Sequence, residues 1–393
     1  MVPDPGLTAP GPVPPEGRQD PSAPPAQGPY PPAPPAQGAY PWPPGPCPPA
    51  TYGGQGYYPA PVVEPPARPS ALPVAQREYH EFFRAPRFRW WKPVLALLMF
   101  GAAWLIGNLV LSGTALGVDV ATGRVQMSDL NSGDVNQVAQ ALMTPLGFTA
   151  NNVSLALAIP LAGLAAWAVF GQRPRWMSSI TGGFRWSLFG RFALIAAPIF
   201  LLGLGVDIVL SGVPELRWNA DSVFLIVAIL VTTPFQAAGE EYGLRGLVAR
   251  SIGSWFGARR LGLVVAGVLS SLLFMVLHAA DNVWLNTYYF AVGAICSVLV
   301  WRTGGLEAAV ALHVCNNLIS EVTLPFGGLE GAFERGPESA DATILFQLVF
   351  TLAVMAGMLW LARRQKLPRS AAPGAPEPSV PGGVFWTSTH TIA

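Results

Sequence analysis

Charge is scarce in this chain. Only 11% of its 393 residues are Asp, Glu, Lys or Arg, and the formal net charge is +1. A soluble domain carries about 25% charged residues. The near-zero net charge gives no sign of a polyanion partner, and no DNA- or RNA-binding motif occurs, so no nucleic-acid partner is expected. Cysteine is scarcer still: Cys47, Cys296 and Cys315 are scattered and form no CxxC pair. They imply neither a disulfide framework nor a structural zinc site. The N-terminus lacks a charged stretch followed by an apolar one, so no cleavable signal peptide is expected.

Apolar residues are abundant, at 51%, and they are unevenly placed. Residues 1–75 hold well over half of the 41 prolines, and PPAQGPY at 24–30 recurs as PPAQGAY at 34–40. Such a segment buries too little apolar surface to offset its ordering entropy. It reads as a disordered, partly polyproline-II tail, either a tether or a docking site for a partner that binds proline-rich peptides. Residues 76–92 form a basic juxtamembrane segment, and 367–393 read as a disordered C-terminal tail.

Between them, residues 93–366 alternate apolar runs with short polar loops. A spanning helix needs about 20 apolar residues, and candidates fall near 93–111, 152–171, 190–211, 222–244, 261–280, 283–301, 305–324 and 343–362. The expected fold is all-α, a polytopic bundle of about eight transmembrane helices in contact with membrane lipid. Arg84, Arg87, Arg89 and Lys92 precede the first run. Arg173, Arg175, Arg185, Arg250, Arg259, Arg260, Arg302, Arg363, Arg364, Lys366 and Arg369 fall in alternate loops after it, while the intervening loops lean acidic. Basic loops stay on the cytoplasmic side, so both termini are expected there, in agreement with an even number of spans.

Ionisable groups inside spans are expensive and usually line a pathway or reaction site. Here they cluster late: Glu240, Glu241 and Arg245 in AAGEEYGLRG, His278 in LLFMVLHAA, and His313 and Asn317 in the seventh run. Glu241 and Arg245, Phe274 and His278, and His313 and Asn317 are each four residues apart, so each pair shares a helix face. A Glu in an apolar pocket can act as general base toward water. Histidine can carry a proton, bind a metal or stabilise an oxyanion, and Asn supplies a neutral donor. The inventory suits water activation and amide hydrolysis. Taken singly, each pair could be a structural ion pair or interhelical glue. Glu307, at the mouth of the seventh run, reads as interfacial. Trp284, Tyr288 and Trp301 read as interface anchors, and Asp281, Asn282 and Asn286 as a turn.

The ordered set Glu240-Glu241-x-x-x-Arg245, Phe274-x-x-x-His278 and His313-x-x-x-Asn317 resembles the three-motif signature of the CPBP family, the CAAX proteases and bacteriocin-processing enzymes also called the Abi family. The resemblance covers about 220–325 and implies a membrane endopeptidase acting on a peptide or protein substrate. By that resemblance, Glu240 activates water with help from His278, and His313 and Asn317 steady the oxyanion. Glu241 and Arg245 support them, with Phe274 completing the second motif. Family members are often called metalloproteases. Zn²⁺ held by Glu240, His278 and His313, and a glutamate base without a protein-bound metal, use the same residues, and both stay open. The Pro/Gly-rich composition points to the plasma membrane of a bacterium, where a prenylated CAAX substrate is not expected. A non-catalytic scaffold or bacteriocin-immunity-type protein, using the same cluster for packing or binding, is the alternative.

The hydropathy runs raise one difficulty. They put Glu240 near one end of its helix and His278 near the opposite face of the bundle, on the order of 20 Å apart in depth at 1.5 Å per residue. The two can meet only if the fourth helix continues through GEEYGLRGLVAR. One long helix from about 222 to 250 is therefore expected.

Overall fold

The computed structural model describes residues 69–133, 137–138, 141–327, 329 and 335–376. Most of the proline-rich segment, Cys47, His390 and residues 377–393 lie outside that set.

Eight helical passages make up the described bundle. They are α1 (Lys92–Ala121), α2 (Pro145–Phe170), α3 (Trp186–Ser211), α4 (Ser222–Gly253), α5 (Arg259–Leu277), α6 (Val283–Thr303), α7 (Glu307–Ser320) and α8 (Ala342–Arg364). All but α7 are long and apolar enough to cross a membrane. The chain is a multi-pass membrane protein. Large side chains along α1, among them Leu98, Leu105, Ile106 and Leu109, are exposed. On a soluble protein they would form an aggregation surface; facing lipid tails they are at home.

Seven candidate spans among the described residues agree with the expected polytopic bundle of about eight helices, and the eighth candidate run corresponds to α7. With 14 residues it is about 21 Å long, short of the roughly 30 Å hydrocarbon layer. Hydropathy cannot separate burial in lipid from burial in protein, and α7 is buried in protein from Glu307 to Cys315. It packs against α3, α4 and α6. It nevertheless runs from one end of the bundle to the other. At its start Leu306 N donates to Ser178 O, and just past its end Pro325 O accepts from the Ser222 hydroxyl at the start of α4.

The expected long fourth helix is present as one 32-residue passage, Ser222–Gly253. Its winding widens to π-helical over Tyr242–Val248, a distortion frequent at functional sites. α2 breaks at Leu157, where Pro160 cannot donate to the Ala156 carbonyl. A Cβ on Gly239 would overlap the Leu155 carbonyl oxygen at this break, so only glycine lets α4 come this close to α2.

The basic loops collect at one end. There β1 (Arg77–Glu78) pairs antiparallel with β2 (Ser370–Ala371), so residues 367–371, assigned to the C-terminal tail on composition, are drawn back against the segment before α1. That segment is a packed cap. Tyr79, Phe82 and Phe83 are buried, and Arg250 near the end of α4 lies over all three rings. Arg259 holds Glu81 at 2.9 Å. Glu307, expected at an interface, is fully buried and held by Arg185 through Nε at 2.9 Å and Nη2 at 2.6 Å. Tyr288, expected as an interface anchor, is buried and donates to Asn316 Oδ1 at 3.2 Å. Asn282 caps α6, accepting from Trp284 N and Leu285 N.

Candidate active site

α4 and α7 face one another in the middle of the bundle, and their polar residues meet there. α4 continues for 13 residues past Glu240, about 20 Å, which sets this carboxylate inside the bundle. α5 stops at Leu277, and His278 follows it as the capping residue. Phe274 touches the rings of both His278 and His313, and Glu240 acts on His278 electrostatically, so the two are not held apart in depth as the hydropathy runs suggested.

Glu241 is fully buried, and its Oε1 accepts from Arg245 Nη1 at 3.0 Å. Arg245 Nη2 donates to Gly293 O at 3.0 Å, and the guanidinium lies 4.8 Å from the Phe274 ring centroid. A Cβ on Gly293 would stand 3.0 Å from Ser271 Cα and 3.2 Å from Arg245 Nη2. Glycine there lets α5 and α6 close on each other and leaves the carbonyl open to the guanidinium. Buried charges persist only when paired and hydrogen-bonded, and this pair meets both conditions.

His313 lies between the two carboxylates. Its Nδ1 is 3.0 Å from Glu241 Oε1, and its Nε2 is 3.7 Å from Glu240 Oε2. The form that can donate to both is the imidazolium, with a proton on each nitrogen. Glu240 Oε1 accepts from Gln236 Nε2 at 2.5 Å, while Oε2 has no hydrogen-bond partner in the protein. The Glu240 side chain is 13% exposed, against 0% for Glu241.

Asn317 reaches Glu240 indirectly. Its Nδ2 donates to Gln236 Oε1 at 3.1 Å, so Gln236 relays between the amide and the carboxylate. His278 is half-buried. Its Nδ1 lies 2.7 Å from Phe274 O, its ring stacks on Tyr289 at 3.9 Å, and Glu240 acts on it electrostatically. With Nδ1 donating to a carbonyl, Nε2 is the nitrogen left for other partners. Phe274 touches both rings, 4.5 Å from His278 and 5.6 Å from His313.

All seven sequence-selected residues therefore gather in one cluster. Gln236, Tyr289, Thr233 and Glu321 were missed. Gln236 and Thr233 carried a usable signal, since they stand four and seven residues before Glu240 on the same helical face.

Among the described residues, no three His, Cys, Asp or Glu side chains are grouped to hold a metal ion. His313 is engaged by two carboxylates, and His278 is turned onto Tyr289. Glu240, His278 and His313 thus do not form a ligand set in this arrangement. Two cavities near the start of α2, of about 570 and 260 Å³, share Asp119 and contain none of the cluster residues.

Residues 222–319 match the family model described as Type II CAAX prenyl endopeptidase Rce1-like. No curated protein and no solved structure matches the chain.

Proposed function

We propose, from the premise that the chain belongs to the CPBP family by its residues 222–319, that it is an intramembrane endopeptidase with Glu240 as base. A CAAX-protease-type enzyme in a multi-pass membrane protein is what the family supports. The observation carrying the finer reading is the asymmetry of Glu240. One carboxylate oxygen is fixed by Gln236, and the other is buried, has no hydrogen-bond partner in the protein and lies 3.7 Å from His313 Nε2. Glu241 Oε2 is likewise unpartnered, but Glu241 is held by Arg245 where Glu240 has no arginine.

In this reading a water bound at Glu240 Oε2 and His278 Nε2 gives a proton to the carboxylate as its oxygen attacks the scissile carbonyl carbon. The carbonyl oxygen becomes an oxyanion that accepts from His313 Nε2 and the second N–H of Asn317. Glu240 then returns the proton to the leaving nitrogen as the C–N bond breaks, giving a carboxylic acid and an amine. Glu241 and Arg245 hold His313 in place from the far side. No step is routed through a metal.

The substrate is a membrane-associated peptide or protein. The family description names a CAAX prenyl endopeptidase. The Pro/Gly-rich composition favours a bacterial plasma membrane, where a different peptide class is expected. The basic loops gathered at the end bearing β1 and β2 favour a cytoplasmic location for both termini.

One observation favours the scaffold reading instead. The cluster's groups are largely paired with one another, as a packing role would require. Against it stands the partial exposure of Glu240, His278 and Asn317. The test is cleavage of a membrane-peptide library by purified protein, wild type beside Glu240→Gln. Cleavage by wild type alone, with both equally folded, supports the enzyme. Cleavage by both removes Glu240 as base. Cleavage by neither favours the scaffold.

A further inference from the structure

Beyond the three motifs, the facing surfaces of α4 and α7 carry a polar ladder that ends in an acid with no ion-pair partner among the described residues. On α4 the rungs are Thr233, Gln236 and Glu240, and across from them stand Glu321, just past the end of α7, then Asn317 and His313. Spacings of three and four keep each set on one face. The rungs are observed in order: Thr233 Oγ1 donates to Glu321 Oε2 at 2.7 Å, Asn317 Nδ2 to Gln236 Oε1 at 3.1 Å, and His313 Nε2 lies 3.7 Å from Glu240 Oε2. Asn152 Nδ2 braces the last rung, 3.2 Å from the fully buried Thr233 hydroxyl.

Most carboxylates buried elsewhere in the described residues stand in an ion pair with an arginine: Glu241 has Arg245, Glu307 has Arg185, Glu81 has Arg259 and Asp119 has Arg124, while Glu78 faces His80 and the Trp301 N–H. Glu321 is half-buried and has Thr233, and it stands in none of the ion pairs among the described residues. A carboxylate withdrawn from water without a cation is unfavourable, and a cation brought to it is bound preferentially. Glu321 is partly exposed, and Ser320 and Val322 on either side are exposed. It also lies within electrostatic reach of Glu240 and His313.

We propose that Glu321 is a specificity-determining residue that receives a cationic group of the substrate, a Lys or Arg side chain or an ammonium terminus, at the mouth of the site. The proposal rests on the protease reading. Glu321 is eight residues from His313, about 12 Å along a helix. An extended peptide covers that distance in about three to four residues, so the cation belongs about that far from the scissile bond.

The experiment uses purified full-length protein in detergent micelles and membrane peptides that differ only in Lys, Gln or Glu at each position flanking the scissile bond. Wild type is expected to prefer Lys over Glu by about tenfold or more in kcat/KM at one position. Glu321→Gln, which keeps an acceptor for Thr233, is expected to abolish that preference, so that the Lys, Gln and Glu peptides are cleaved with about the same kcat/KM. Glu321→Lys is expected to reverse it. Wild-type cleavage without any charge preference overturns the assignment and needs no variant to fold. Equal loss on all three peptides in Glu321→Gln overturns it too, in favour of a structural role. If wild type cleaves no peptide, the protease reading itself fails and this assignment with it.

Discussion

His313 Nδ1 lies 3.0 Å from Oε1 of Glu241, the same oxygen that accepts from Arg245. Glu241 is therefore not a second base beside Glu240. One of its oxygens serves as the fixed negative point on which an imidazole and a guanidinium both depend. Removing either cation leaves a buried carboxylate short of compensation.

Arg245→Ala is expected to show this most clearly. Breaking a buried ion pair by removing one partner costs about 3–5 kcal/mol. The substitution also frees Gly293 O and removes the cation over the Phe274 ring. The expected outcome is a large fall in melting temperature in detergent, together with loss of cleavage. Arg245→Lys is expected to recover only part of the stability, because an ammonium lacks the fork that reaches Glu241 and Gly293 at once. Equal stability of Arg245→Ala and wild type would show that Glu241 is not held as a charged group.

Gln236 is expected to act on rate more than on binding. Its Nε2 fixes Glu240 Oε1 and its Oε1 receives Asn317, so Gln236→Ala loosens the base and the amide donor together. Loss of a residue that orients a reacting group typically costs about 10–100-fold. That loss is expected in kcat, with KM little changed, because Gln236 does not touch the substrate in the proposed geometry. A rise in KM at constant kcat would instead make Gln236 a binding residue.

The three motifs were legible because each put polar groups into an otherwise apolar run, where their cost demands a reason. Gln236 was not, because a single amide at the end of VTTPFQ looks like the fringe of a span until its spacing to Glu240 is counted. Glu307 was misjudged for a different reason. Its partner Arg185 is 122 residues away in sequence, and no local pattern reports such a pairing. α7 passed for a spanning helix because a run buried among α3, α4 and α6 is as apolar as one facing lipid. The cap was hidden by its own composition. The arginines before α1 read only as a basic juxtamembrane segment, while its packing depends on Tyr79, Phe82 and Phe83 meeting Arg250 from a helix far along the chain.

That cap is expected to loosen in acid, and His80 is the reason. The ring is 5% exposed, with Nε2 3.2 Å from Arg259 O and Nδ1 3.8 Å from Glu78 Oε2. Burial pushes its pKa below the ordinary 6.5, more strongly than Glu81 and Glu78 pull it up. A depressed histidine pKa means that the undocked segment binds a proton that the docked one refuses. Its contribution is therefore fully present above about pH 6.5 and is lost as pH falls from there toward the lower, docked value. Limited proteolysis between Arg77 and Lys92 in detergent, followed from pH 7.5 down to pH 5.5, is expected to speed up in wild type. His80→Gln keeps a donor for Arg259 O but has no proton to gain, so its cleavage rate is expected to change less over the same range. If the two proteins lose protection in parallel, groups other than His80 govern the acid response of the cap.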